Sequence, residues 1–207
     1  MVIVANALVW FYELSLGDEF LQQFVFQAGA IPARLTGAAA VNVPDAYPAP
    51  LTLMSSMFMH AGWMHVISNM WFLWVFGDNV EDFFGPTLYL PFYVFTGLAA
   101  TATHIAFDAS SVIPVVGASG AVSGVLGAYV VLYPRARVYT FVWIIIFIKT
   151  FYLPAWVFLG LWIGMQFFSL GDAGVAWWAH IGGFAAGAVI ALGARAGGRR
   201  PSQPRYA

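Results

Sequence analysis

The chain contains no cysteine. That excludes a disulfide framework, a thiolate zinc site and a cysteine nucleophile. Charge is nearly as scarce: eight basic and nine acidic side chains in 207 residues, or 8%, where a soluble domain carries about 25%. So little charge excludes a disordered chain, a nucleic-acid binder with a basic face, and almost any water-soluble single domain. What fills the sequence instead is apolar: 61% hydrophobic and 18% aromatic residues. At roughly 20 apolar residues per crossing, such a chain has room for at most about eight membrane helices.

Six apolar runs read as candidate spans, at about 2–16, 57–76, 88–107, 119–133, 154–170 and 175–194. The first is short and lacks the basic flank and cleavage site of a signal peptide, so it reads as a first, tilted helix. A further stretch, Val138–Phe147, is too short to span and is flanked by Arg135, Arg137 and Lys149. It reads as an interfacial or re-entrant segment. The expectation is an all-α membrane protein, a single domain over 1–207 with a six-helix bundle and a basic tail at 195–207. Basic residues orient it. Arg135, Arg137 and Lys149 follow the fourth span, and Arg195, Arg199, Arg200 and Arg205 follow the sixth. Both groups fall on one side, which the positive-inside rule makes cytoplasmic, as are both termini. Only Arg34 lies outside, in the long outer loop 17–56, whose Phe20, Leu21, Phe24, Val25, Phe26 and Ile31 are too apolar for a solvated linker. An amphipathic piece embedded in the outer interface fits better.

Polar side chains inside membrane helices are costly and mark function by default. Three clusters qualify: His60 with His65 and Asn69 in the second span, Gly117-Ala-Ser119-Gly120 opening the fourth, and Ala179-His180-Ile-Gly-Gly183 early in the sixth. His65 and Asn69 are four apart and share a helix face. Spans two, four and six all run inward, so the three clusters fall at similar depth near the outer surface. A serine beside a histidine is the minimal set for nucleophilic acyl transfer. Ser119 is the candidate nucleophile and His180 its base. His65, Asn69 and the Ser119 backbone N–H are candidate donors to an oxyanion. No carboxylate lies near Ser119 or His180 in sequence, which favours a dyad over a triad. Gly120-x-x-x-Gly124 and Gly183-x-x-x-Gly187 would let spans four and six approach closely and bring the pair together; Gly160-x-x-x-Gly164 would pack elsewhere.

Other readings of the same residues stand beside this one. Ser119 is also suited to capping or packing, and His65 and Asn69 to bonding between helices. His60, a turn higher, reads as structural, and His104 as a buried or interfacial partner. A zinc site is disfavoured, because no HExxH spacing or neighbouring carboxylate is present. The run Asp78-Asn-Val-Glu81-Asp82 reads as helix capping on the cytoplasmic side.

In their order and spacing, His60, His65-x-x-x-Asn69, Gly117-x-Ser119-Gly and Ala179-His180-x-x-Gly183-x-x-x-Gly187 resemble the motifs of the rhomboid intramembrane serine proteases, from about Leu51 to Leu192. The resemblance implies a serine endopeptidase with a Ser-His dyad of Ser119 and His180, no metal and no cofactor. It implies single-span or other transmembrane protein substrates in the lipid bilayer, no nucleic-acid partner, and cleavage near the outer membrane face. A bacterial inner membrane, with the active site opening to the periplasm, is the implied location. The loop 17–56 would be the partly embedded first loop, and span five with Gly171–Ala176 the substrate gate. Two departures stand out: the loop lacks the Trp-Arg pair frequent in the family, and Ser123 replaces a tyrosine that supports the catalytic histidine, leaving Trp177 or Trp178 to do so. Two further functions are a catalytically silent relative that binds transmembrane helices, and a small transporter. The first would lack the Ser119/His180 pair, and the second would show an inverted repeat.

Overall fold

In a computed structural model of the chain, residues 1–144, 147–168 and 175–204 are described. The order is α1 (Val2–Ser15), α2 (Gly17–Ala28), α3 (Pro32–Thr36), α4 (Ala49–Ser55), α5 (Trp63–Phe72), α6 (Asp78–Phe84), α7 (Pro86–Phe107), α8 (Ser119–Leu132), β1 (Arg137–Ile144), β2 (Phe147–Pro154), α9 (Ala155–Phe168) and α10 (Trp177–Ala196). The fold is mostly helical. Among the described residues α7 and α10 are long and apolar enough to cross a membrane, while α1, α8 and α9 are shorter apolar helices.

The structure corrects three expectations and adds detail to another, the outer loop. The protein is not all-α: β1 and β2 form an antiparallel pair, with Arg137 opposite Pro154 and Ile144 opposite Phe147. The stretch Val138–Phe147 is therefore mainly a strand. Its β-branched and aromatic residues favour a pleated ribbon, and Ala155 N–H to Ala136 O (2.8 Å) and Trp156 N–H to Pro134 O (3.1 Å) tie the base of that ribbon to the end of α8. Second, the run 57–76 does not begin as α-helix. It starts with a short 3-10 turn, Ser56–Phe58, and becomes α5 only at Trp63; a π-helical stretch, Leu73–Gly77, then leads into α6. The acidic run at Asp78 consequently lies within a helix rather than after one. Third, the outer loop carries three helices of its own. Arg34 Nη2 ties that loop together by donating to Tyr47 O at 2.6 Å. Fourth, among the described residues Gly160 and Gly164 face open space, where added side chains would meet nothing within 4 Å, so no described neighbour packs on them. The segment assigned to a gate, Gly171–Ala176, lies outside the described residues up to 174, as does Arg205.

The core is a three-helix stack, α7–α8–α10. A Cβ on Gly183 or Gly187 of α10 would run into the backbone carbonyls of Gly120 and Gly124, and one on Gly127 into that of Phe184. Gly120 and Gly124 of α8 point the other way: a Cβ on Gly120 would meet Ala100 at 2.6 Å, and one on Gly124 would collide with Thr96, both on α7. The two glycine patterns therefore do not face each other. The α10 stripe rests on the α8 backbone, and the α8 stripe admits α7. Backbones this close gain dispersion contact without side-chain entropy, the usual reason for small residues between membrane helices.

The ends of the stack are set by its cations. Arg195 donates to Val131 O (2.9 Å), and Arg199 to Phe83 O (3.1 Å) and Phe84 O (2.9 Å). These carbonyls end α8 and α6, where a cation satisfies otherwise orphaned acceptors and the helix dipole favours positive charge. The C-terminal ends of α6, α8 and α10 thus lie together. Their line of helices is parallel, and the starts of α5, α8 and α10 meet at the opposite end.

Candidate active site

At that opposite end a cavity of about 290 Å³ is lined by His65, Asn69, Gly117, Ser119, Gln166 and His180, among others. Ser119 is the first residue of α8, and His180 is the fourth of α10. His180 Nε2 lies 2.9 Å from Ser119 Oγ. The close approach of α8 and α10 at Gly183 and Gly120 is what brings these two side chains within reach. His180 is buried, and its ring meets Trp177 edge-on with centroids 5.8 Å apart. Trp178 does not help hold it: that indole stacks on Phe107 at 3.8 Å. Ser123, one turn after Ser119, donates from Oγ to Ser119 O at 2.6 Å, within its own helix.

Gly117 shapes the approach to Ser119. Its φ of +136° is one that residues with side chains rarely adopt. A Cβ there would lie 2.6 Å from His65 Cε1, 2.9 Å from His65 Nε2 and 3.4 Å from Ser119 Oγ. His65 and the serine hydroxyl therefore flank one small space that only glycine leaves open. Ala61 N–H donates to His65 Nδ1 at 3.4 Å, which makes Nε2 the ring's donor and turns it toward that space. Asn69 Nδ2 is buried and has no hydrogen-bond partner among the described residues. The first amides of α8, including that of Ser119, lack intrahelical acceptors by position. A hydroxyl, an accepting imidazole and three sets of donors thus converge on one cavity. Such a set can attack a carbonyl, take up the hydroxyl proton and stabilise the oxyanion that forms.

The outer loop buttresses this end. Ala30 and Val115 exchange backbone hydrogen bonds (3.1 and 2.8 Å), Ala33 N–H reaches Ser111 O (2.9 Å), and Gly117 N–H reaches Ser56 O (2.9 Å). These bonds satisfy the polar backbone of the segment leading to Ser119. A segment without helix needs such partners if it lies at membrane depth. His60 is not in the reacting set. Its backbone N–H donates to both Glu13 oxygens (3.1 and 3.2 Å), and its ring lies edge-on between Trp10 and His65. It packs behind His65.

Two polar residues escaped the sequence reading: Glu13 and Gln166. Both sit inside apolar runs, the same signal that singled out His65 and Asn69. Gln166 Oε1 lies 2.6 Å from His180 Nδ1, so an amide on α9 supports the ring alongside Trp177, while Trp178 does not. No group of three or more histidine or acidic side chains able to hold a metal occurs among the described residues.

Comparison with known proteins agrees with the motif pattern. A rhomboid domain model matches residues 49–196, well over half of the chain. Rhomboid-like protein 11, chloroplastic, of Arabidopsis thaliana is 30% identical over 128 residues, 62% of this chain and 42% of that protein. RHOMBOID-like protein 12, mitochondrial, of the same plant is 30% identical over 158 residues, 67% of this chain and 44% of that protein. Rhomboid protein 1, mitochondrial, of Saccharomyces cerevisiae is 29% identical over 102 residues, 47% of this chain and 30% of that protein. The matched stretch is less than half the length of each of these relatives. The match of residues 49–196 spans the whole three-helix stack and every residue lining the candidate site, and on it the chain belongs to the rhomboid family.

Proposed function

We propose that the chain is an intramembrane serine endopeptidase that hydrolyses peptide bonds in or near transmembrane segments of membrane-protein substrates. The observation that carries this is the 2.9 Å approach of His180 Nε2 to Ser119 Oγ. In the proposed reaction Ser119 attacks the scissile carbonyl while His180 takes its proton, forming a tetrahedral intermediate. His65 Nε2–H, Asn69 Nδ2–H and the Ser119 amide stabilise the oxyanion. His180 then donates the proton to the leaving amine, and water releases the acyl group by the same route. The chemistry uses an imidazole pair, an amide and a hydroxyl, with no metal or cofactor.

In the same proposal the chain forms one domain with six membrane crossings and both termini on the cytoplasmic side of a bacterial inner membrane. The site opens to the periplasmic face. The seven basic residues outside the outer loop support that orientation. Helix lengths support a recessed site. α8 has 14 residues, about 21 Å at 1.5 Å per residue, against a hydrocarbon core of about 30 Å. Since the C-terminal ends of α8 and α10 lie together, Ser119 starts below the surface rather than on it. Substrates would be single-span or other transmembrane proteins whose helix unwinds into the cavity.

A fluorophosphonate probe tests the nucleophile directly in the purified protein. The proposal expects labelling of the wild type and none of Ser119→Ala or His180→Ala. Equal labelling of Ser119→Ala would overturn the assignment.

A further inference from the structure

Gln166 lies on α9, buried, and makes two hydrogen bonds. Its Nε2 donates to Trp162 O, one turn back in the same helix, at 3.2 Å, and its Oε1 lies 2.6 Å from His180 Nδ1. These contacts form a chain with a fixed direction. A backbone carbonyl only accepts, so the amide nitrogen must face Trp162 and the amide oxygen must face His180. The amide oxygen also only accepts, so His180 Nδ1 must carry a hydrogen. In a neutral imidazole that leaves Nε2 as the acceptor, and Nε2 is the atom 2.9 Å from Ser119 Oγ. With the other tautomer two lone pairs would face each other at 2.6 Å, and the serine hydroxyl would lose its acceptor.

From this geometry we propose that Gln166 is a positioning residue: through the amide bond to Nδ1 it selects the His180 tautomer that accepts the Ser119 proton and holds the ring at that angle. The inference rests on the protease reading above. It adds a third helix to the dyad, so that α8 supplies the hydroxyl, α10 the imidazole and α9 the group that orients it, beside the donors of α5. A neutral amide can do this where a carboxylate would be costly to bury. Trp162, the residue whose carbonyl anchors the amide, also lies against the imidazole, with ring centroids 6.0 Å apart. Gln166 touches no substrate in this account. It acts only through His180.

The test uses the full chain in detergent or liposomes, with a labelled single-span substrate and nitrogen-15-labelled histidine. Gln166→Met keeps the side chain's length and removes the acceptor; Gln166→Glu keeps an oxygen facing Nδ1. The expected result is a kcat about 100-fold lower in Gln166→Met with KM within about threefold, the size of a mispositioned general base, and kcat restored to within about tenfold in Gln166→Glu. The histidine spectrum of wild type and of Ser119→Ala should show one ring with hydrogen on Nδ1 and a bare Nε2. In Gln166→Met that ring should become a mixture of tautomers while the thermal midpoint stays near wild type. An unchanged kcat and tautomer in Gln166→Met would overturn the proposal while leaving the protease reading intact, provided Ser119→Ala is inactive. If Ser119→Ala cleaves like wild type, the protease reading fails, and the spectrum alone still decides what Gln166 does. Should Gln166→Met lose its fold, the wild-type spectrum decides: a His180 ring with hydrogen on Nε2 sinks the idea.

Discussion

Two GxxxG patterns in this chain have the same letters and opposite surroundings. On α10, Gly183 and Gly187 lie against the backbone of α8, where any side chain would collide with a carbonyl. On α9, Gly160 and Gly164 face nothing within 4 Å among the described residues, and neighbouring Trp156, Leu161 and Met165 are exposed. The pattern permits close approach and does not cause it. Close approach needs a partner helix that is itself bare at the facing positions, as α8 is. The stack α7–α8–α10 meets that condition and fixes Ser119 against His180. The glycine face of α9 does not, and α9 contributes to the site from its other side, through Gln166 and Trp162.

Substitutions can break or sharpen this contrast. The largest effect is expected from Gly187→Val, which forces α10 off α8: a loss of about 3 kcal/mol or more of stability and of all activity, read from unfolding in denaturing detergent. Asn69→Ala removes a buried donor from the cavity while leaving the stack intact. It should lower kcat by about 100-fold or more, as for other oxyanion donors, with KM nearly unchanged; equal losses in kcat and substrate affinity would contradict the assigned role. Gly117→Ala strains a backbone at positive φ and presses a methyl on the His65 ring. A stability cost of about 1–3 kcal/mol and a large fall in turnover are expected from thermal unfolding and cleavage rates. The smallest effect has the opposite sign. Gly164→Ala on α9 should stabilise by about 0.5–1 kcal/mol, since a helical glycine with open space gains from a methyl. A destabilisation of the size seen at Gly187 would show that α9 packs as tightly as α10.

Much of the site was legible in the sequence because polar residues in apolar runs carry a cost that demands a reason. His65, Asn69, Ser119 and His180 stood out on that ground, and the parallel course of their helices put them at one depth. The same rule applies to Gln166 and Glu13, which lie in apolar runs just as His65 does. Neither belongs to a motif that marks it, although span five places Gln166 near the same outer depth. The strand pair was hidden for a different reason. An apolar run of about ten residues has the length of a strand or of an interfacial helix, and periodicity alone does not separate them. The break before α5 was hidden too: hydropathy is continuous from Met57 to Phe76, whereas the helix starts only at Trp63, after Gly62. Which face each glycine stripe presents depends on the rotation of whole helices, which no local pattern encodes.

In the proposed function Ser119 and His180 cleave a peptide bond in a membrane-embedded substrate. The most direct measurement of this is cleavage of a labelled single-span protein in liposomes by the wild type and by Ser119→Ala, with the product mass defining the cut. One cut in or near the transmembrane segment is expected from the wild type and none from the variant. Cleavage at the same bond and rate by Ser119→Ala would contradict that function.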